Sequence, residues 1–166
     1  MRRVELLFDA IRSPYDIAHI IQIARSIDAI VYTSGKGALP FDLPKVKSKV
    51  RSWNMDDGFS EVHYDTFEEA IDDLRAKGKY LLGTSGDAKQ DFFKVDLPDS
   101  RDIVMVFGTE ATGLTKYKQA LLDGMVKLPM DKRKVDFLTL PVVTSAVAYE
   151  LYRRFNYCSD SQTYWN

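Results

Sequence analysis

Apolar positions along this chain follow two rhythms that take turns. Short, mostly apolar runs at 4–8 (VELLF), 29–33 (AIVYT), 80–84 (YLLGT), 102–107 (DIVMVF) and 125–129 (MVKLP) have the length and the bounding residues of strands. Between them the spacing becomes helical. Ile17, Ile20, Ile21 and Ala24, with Ile27 next, follow Ser13-Pro14, which places serine at the cap and proline in the first turn of a helix. Leu43, Val46, Val50 and Trp53 also repeat at helical intervals, whereas the alternating lysines of the same segment suit a strand as well. Thr66 and Glu69 form a capping-box pattern for a helix that Gly78 is placed to end. Residues 142–155 read as a closing amphipathic helix.

Strands alternating with helices predict an α/β fold, a parallel sheet flanked by helices on both sides. No repeat, low-complexity tract or linker divides the 166 residues, and the polar stretch at 83–91 (GTSGDAKQD) is loop-sized, so one domain over 1–166 is expected. A content of 45% apolar and 28% charged residues suits a single core with a solvated surface.

Charge and rare residues then narrow the chemistry. The net charge of −1 and the pI near 6.1 carry no global basic signature of a nucleic-acid binder. Local basic clusters do occur at Lys45, Lys47, Lys49 and Arg51, at Lys132 to Lys134, at Arg2-Arg3 and at Arg153-Arg154, and each alone reads as a solvated face. Cys158 is the single cysteine, so no internal disulfide can form. The amino-terminal apolar segment is too short for a secretory signal and no run reaches membrane-spanning length, so a soluble cytoplasmic protein is expected. His19 and His63 are the only histidines, without metal-ligand spacing or an evident triad partner, which leaves no metal site or nucleophilic triad indicated.

The stretch at 106–114, VFGTEATGL, is the sharpest local feature: a strand emptying into a glycine-containing turn, where α/β proteins place ligands. It lacks the P-loop lysine, and neither it nor GTSGDA gives the three-glycine dinucleotide fingerprint.

IVMVFGTEATGL (103–114), VKLPM (126–130) and FLTLPVVTSAVAYELYRR (137–154) resemble the second and third motifs of the SpoU/TrmH branch of SPOUT methyltransferases, and LFDAIRSPYDIAHIIQIARSIDA (7–29) resembles their first. The resemblance spans essentially the whole chain and is most similar to minimal members that act on tRNA. It implies a carboxyl-terminal deep trefoil knot in the sheet, a homodimer, and S-adenosyl-L-methionine bound by backbone groups of three loops for methylation of a ribose 2′-hydroxyl of RNA, tRNA or rRNA. The loops it implies here carry Thr84 and Ser85; Gly108 and Gly113; and Val126, Leu128, Met130, Leu138 and Leu140, with Leu128 and Leu138 able to sandwich an adenine. Glu110 matches the family's motif glutamate, which implies a role in orienting the substrate or a basic partner; capping the following helix or binding loop amides is its other reading.

Departures from the family pattern cluster on the acceptor side. Asp16, Ala18 and Gln22 stand where asparagine, glycine and arginine are usual, and Phe137 and Thr139 where serine and asparagine are usual. Gln22 is neutral and cannot act as a base. Arg25, three residues on, faces a similar direction on a helix and is the candidate for a displaced arginine, its alternative being an ordinary helix-surface residue. The same fold with a different acceptor, or a catalytically silent RNA-binding adaptor, are the alternative readings. In the tail, Tyr157, Tyr164 and Trp165 could stack on bases or pack at an interface or on their own core.

Overall fold

A computed structural model of the chain describes residues 2–109 and 112–157. Twelve elements follow in order: β1 (Glu5–Asp9), α1 (Pro14–Ser26), β2 (Ile30–Ser34), α2 (Pro44–Ser52), β3 (Val62–Tyr64), α3 (Phe67–Ala76), β4 (Tyr80–Thr84), β5 (Gln90–Asp91), β6 (Ile103–Phe107), α4 (Lys116–Ala120), β7 (Gly124–Lys127) and α5 (Leu140–Tyr157). The strands form one seven-stranded sheet, ordered β3-β2-β1-β6-β4-β7-β5, and every pairing is parallel.

β1 and β6 lie at the centre and are buried along their whole length. Because side chains alternate across a strand, each central strand supplies both faces of the sheet. Leu6 and Phe8 of β1 join Ile103, Met105 and Phe107 of β6 in a core shared with α1, α2 and α5. Leu7, Val104 and Val106 point the other way, onto Phe67, Ala70, Ile71 and Leu74 of α3. Covering both faces by helices is what a wholly parallel sheet requires.

The helix starts follow their caps. The Ser13 hydroxyl accepts the Asp16 N–H at 3.2 Å, and the Thr66 hydroxyl accepts the Glu69 N–H at 3.1 Å. Gly78 follows α3 with φ +76. The lysine-rich segment is a helix: Val46 and Val50 are buried one turn apart, and Lys45 and Lys49 are exposed. The closing helix begins at Leu140 and runs to Tyr157, with Pro141 in its first turn, where the missing proline N–H removes no helical bond. The strand expected at 125–129 ends at Lys127.

β3, β5 and α4 have no counterpart in the sequence reading. β3 and β5 are short edge strands of three and two residues, and α4 has five residues, none of them buried. Tyr157 is exposed with its ring edge-on to Tyr152 at 5.7 Å. Cys158, Tyr164 and Trp165 lie outside the described residues.

Candidate active site

The carboxyl ends of β4, β6 and β7 leave the sheet side by side, and the segments that follow them enclose a cavity of about 490 Å³. Thr84 and Ser85 reach it from β4, Gly108 and Gly113 from the turn after β6, Val126, Leu128 and Met130 from β7 and its exit, and Leu138, Thr139 and Leu140 from the entry to α5. Asp16, in the first turn of α1, closes another part of the wall. Three of these stretches meet because parallel strands deliver their carboxyl ends to one edge, and the fourth, the entry to α5, closes over them. Of the residues singled out in the sequence, Gln22 and Arg25 do not line the cavity, and Glu110 lies outside the described residues.

The turn after β6 owes its shape to its glycines. A Cβ on Gly108 would lie 2.1 Å from the carbonyl carbon of Gly113 and 2.2 Å from the Leu114 nitrogen, so only glycine lets the main chain return so closely on itself. Thr109 and Gly113 form an antiparallel bridge, in which the Gly113 N–H donates to the Thr109 carbonyl at 2.9 Å. Gly113 has φ +66, in the left-handed region. The Thr109 and Thr112 hydroxyls are 2.8 Å apart and close the turn from the side-chain edge.

Beyond the turn, Lys118 of α4 forms an ion pair with Asp9, which is buried at the carboxyl end of β1 and also accepts the Ser34 hydroxyl at 2.9 Å. The pair ties the exit of the turn to the central strand, and the buried carboxylate is supplied with both a cation and a hydroxyl donor. Neither residue was singled out in the sequence, since a Lys and an Asp 109 positions apart carry no local signal.

On α1, Gln22 is exposed, and Arg25 turns toward the end of α2, where its guanidinium is 3.7 Å from the Asp56 carboxylate. The Arg25 Nε is buried, with no hydrogen-bond partner among the described residues. Asp16 alone of the three α1 candidates reaches the cavity wall. Lys132 and Asp136 line the cavity as well, although nothing local in the sequence marks either; Lys132 stands in the basic run 132–134, which alone reads as a solvated face. Phe137 also lines the cavity and is 72% exposed, an aromatic ring standing at the rim.

The walls suit a nucleoside-sized ligand with a polar end. Val126, Leu128, Leu138 and Leu140 are apolar, Asp16, Thr84, Ser85, Lys132 and Asp136 are polar or charged, and the volume falls within the roughly 300–1,000 Å³ of small-molecule sites. Among the described residues no group of three or more His, Cys, Asp or Glu side chains could hold a metal ion.

The sequence profile described as the SpoU rRNA Methylase family matches residues 3–149. The chain belongs to this family. Similar SpoU relatives include the 23S rRNA (guanosine-2'-O-)-methyltransferase RlmB of Xanthomonas axonopodis pv. citri, 27% identical over 92% of this chain and 59% of that protein. The putative TrmH family tRNA/rRNA methyltransferase YacO of Bacillus subtilis is 22% identical over 91% of this chain and 59% of its own length. The chain thus spans about three-fifths of these relatives.

Among solved structures, the SpoU methyltransferase AviRb from Streptomyces viridochromogenes, in complex with the cofactor AdoMet, superposes with a TM-score of 0.77 at 25% identity, covering 92% of this chain and 58% of AviRb. A structure concerned with the 2-OH methylation of C/U34 on tRNA shares the fold at a TM-score of 0.77 and 20% identity, and there the match covers 93% of this chain and 97% of the other. The seven-stranded parallel sheet flanked by helices is therefore the SpoU methyltransferase architecture.

Proposed function

We propose that this chain is an S-adenosyl-L-methionine-dependent methyltransferase that modifies a ribose 2′-hydroxyl of RNA, tRNA or rRNA. The observation that carries the reading is the meeting of Thr84, Ser85, Gly108, Gly113, Val126, Leu128, Met130, Leu138 and Leu140 around one cavity. When bound, the cofactor supplies an electrophilic methyl group on a sulfonium. Leu128 and Leu138 would offer its adenine apolar surface, and the main chain at 84–86 and at Gly108 and Gly113 would come close to it.

Asp16 and Thr139 share the cavity wall with these residues and orient the acceptor hydroxyl, Asp16 as the carboxylate that accepts its proton. Holding the acceptor hydroxyl in one position and orientation would supply the larger part of the rate enhancement. Glu110, by its place in the motif, orients the substrate.

The family reading extends to the assembly and the topology. α1 and α5 pack side by side, and Tyr15, Val142 and Tyr149 leave apolar surface exposed on them, which supports a homodimer built on these two helices. β7 enters the sheet between β4 and β5, two strands that precede it in the chain, an order that supports threading of the carboxyl-terminal part into a deep trefoil knot. Among the described residues no helix is long and apolar enough to cross a membrane. An enzyme of tRNA or rRNA would act in the cytoplasm.

A second reading, the same transfer to a different acceptor, draws support from Arg25, which is engaged with Asp56, so that among the described residues no arginine lines the cavity. The deciding experiment incubates the protein with labelled cofactor and total tRNA or rRNA from cells lacking it, followed by nucleoside mass spectrometry. A 2′-O-methylnucleoside that appears only with the protein supports the first reading. A base methylation supports the second. With cofactor bound and no RNA modified, the chain is a silent RNA-binding adaptor.

A further inference from the structure

Lys132 spans the rim of the cavity. Its ammonium donates to the Asp136 carbonyl at 3.1 Å, which holds it within the 131–136 turn, and a Cβ built on Gly86 of the opposite turn would be only 3.1 Å from Nζ. The turn itself is fixed: the Lys134 and Val135 N–H groups both donate to the Asp131 carbonyl, at 3.0 and 3.1 Å, and the Arg133 guanidinium grips the Asp131 carboxylate at 2.9 and 3.0 Å. Of the basic run 132–134, Lys132 is the member that lines the cavity. Lys127, the other lysine on the wall, is the last residue of β7 and is held in register with Asp91 of β5.

We propose that Lys132 is the carboxylate-binding residue of the site, pairing with the amino-acid end of the cofactor at the cavity rim. The assignment rests on the cofactor reading above and adds to it a specificity element. An adenosine held between Leu128 and Leu138 leaves its sulfur-linked chain to run along the wall, and that chain ends in a carboxylate. A carboxylate brought to the rim is best met by a cation that can also donate a hydrogen bond to it. Lys132 places one there, already oriented by a backbone acceptor, so little side-chain freedom remains to be lost on binding. Asp136 stands on the same wall, so with Lys132 it offers the rim one charge of each sign, a pattern that complements a zwitterion rather than a plain anion. An RNA phosphate also carries anionic oxygen, but Lys132 lines the same cavity as the adenine clamp, which favours the cofactor.

Calorimetry on the full chain with two ligands tests this. S-adenosylhomocysteine carries the amino-acid end; 5′-methylthioadenosine has the same adenosine and sulfur without it. Wild type is expected to bind the first about tenfold more tightly, and Lys132→Met to lose that preference, weakening S-adenosylhomocysteine about tenfold and leaving 5′-methylthioadenosine unchanged. Lys132→Arg should restore most of it. Equal weakening of both ligands, or of neither, overturns the assignment. So does a Lys132→Met variant that loses affinity for tRNA and keeps its affinity for S-adenosylhomocysteine, which would place the lysine on phosphate. A wild type that binds both ligands equally removes only the carboxylate contact, whereas one that binds neither removes the cofactor reading itself.

Discussion

Gly108 and Gly113 approach so closely that a methyl group on the first would overlap the carbonyl carbon of the second, 2.1 Å away. The clash is with main chain, so no rotamer change relieves it. Gly108→Ala is therefore expected to push Gly113 and Leu114 away from Gly108, at a cost of about 1–3 kcal/mol as for other overpacked sites. At roughly 2–4 °C per kcal/mol for a chain of this size, melting should fall by several degrees. S-adenosylhomocysteine affinity should fall with it, because the turn is one wall of the cavity. Differential scanning calorimetry and titration on the same sample measure both; an unchanged melting temperature would mean that the turn is held less tightly than the bridge between Thr109 and Gly113 implies.

Leu128→Ala and Leu138→Ala test the adenine clamp separately from the fold. Both residues are partly exposed at the cavity, so truncation creates no buried void and stability should change little. Each removes about 1.5–3 kcal/mol of apolar contact if the side chain is covered by ligand, or roughly tenfold or more in affinity. Loss of melting temperature without loss of affinity would assign the leucines to packing alone.

Arg25→Ala should leave the binding of S-adenosylhomocysteine unaltered. The residue does not line the cavity, and its guanidinium, 3.7 Å from an exposed Asp56, sits in an ion pair of the kind that contributes under about 1 kcal/mol. Methylation of RNA by this variant is expected within about threefold of wild type. A hundredfold loss with cofactor affinity intact would show that Arg25 reaches an acceptor bound from another direction, as across a dimer axis.

The elements legible in the sequence are those whose residues do one thing at a time. β1, β6 and α3 combine burial with a clean boundary, Thr66 and Gly78 in the case of α3, and each falls within a residue or so of its expected place. The lysine segment offered two periods, and only the burial of Val46 and Val50 decides between them. β3 and β5 escaped because an edge strand of two or three residues needs no apolar pattern; its hydrogen bonds come from a neighbour elsewhere in the chain. The cavity wall was legible where a motif could be matched residue by residue, from Thr84 to Leu140. Lys132 was not, since its role depends on Gly86, which lies 46 positions earlier and is close only because β4 and β7 pair. The ion pair of Lys118 with Asp9 was hidden for the same reason.

Glu150 supplies the pH test. Its carboxylate accepts from Arg153 at 2.9 Å and from Arg154 at 2.7 Å, and Arg154 in turn donates to the carbonyls of Phe92, Phe93 and Val95, which fastens α5 to the segment after β5. The hydrogen bond from Arg153 pulls the Glu150 pKa below its ordinary 4.5; burial pushes the other way, and the bond from Arg154 adds to the lowering. A carboxyl whose folded pKa lies below the unfolded one stabilises the fold above the unfolded value, and that contribution disappears as the pH falls through the folded value. Wild type should thus melt higher than Glu150→Gln at pH 7, with the gap narrowing below about pH 4.5 and closing once Glu150 is protonated in both states. Thermal scans of the two proteins from pH 7 to pH 3 read the gap directly. A difference that stays constant across the range would trace the effect of the substitution to packing on α5, leaving the charge of Glu150 without a part in holding Arg154.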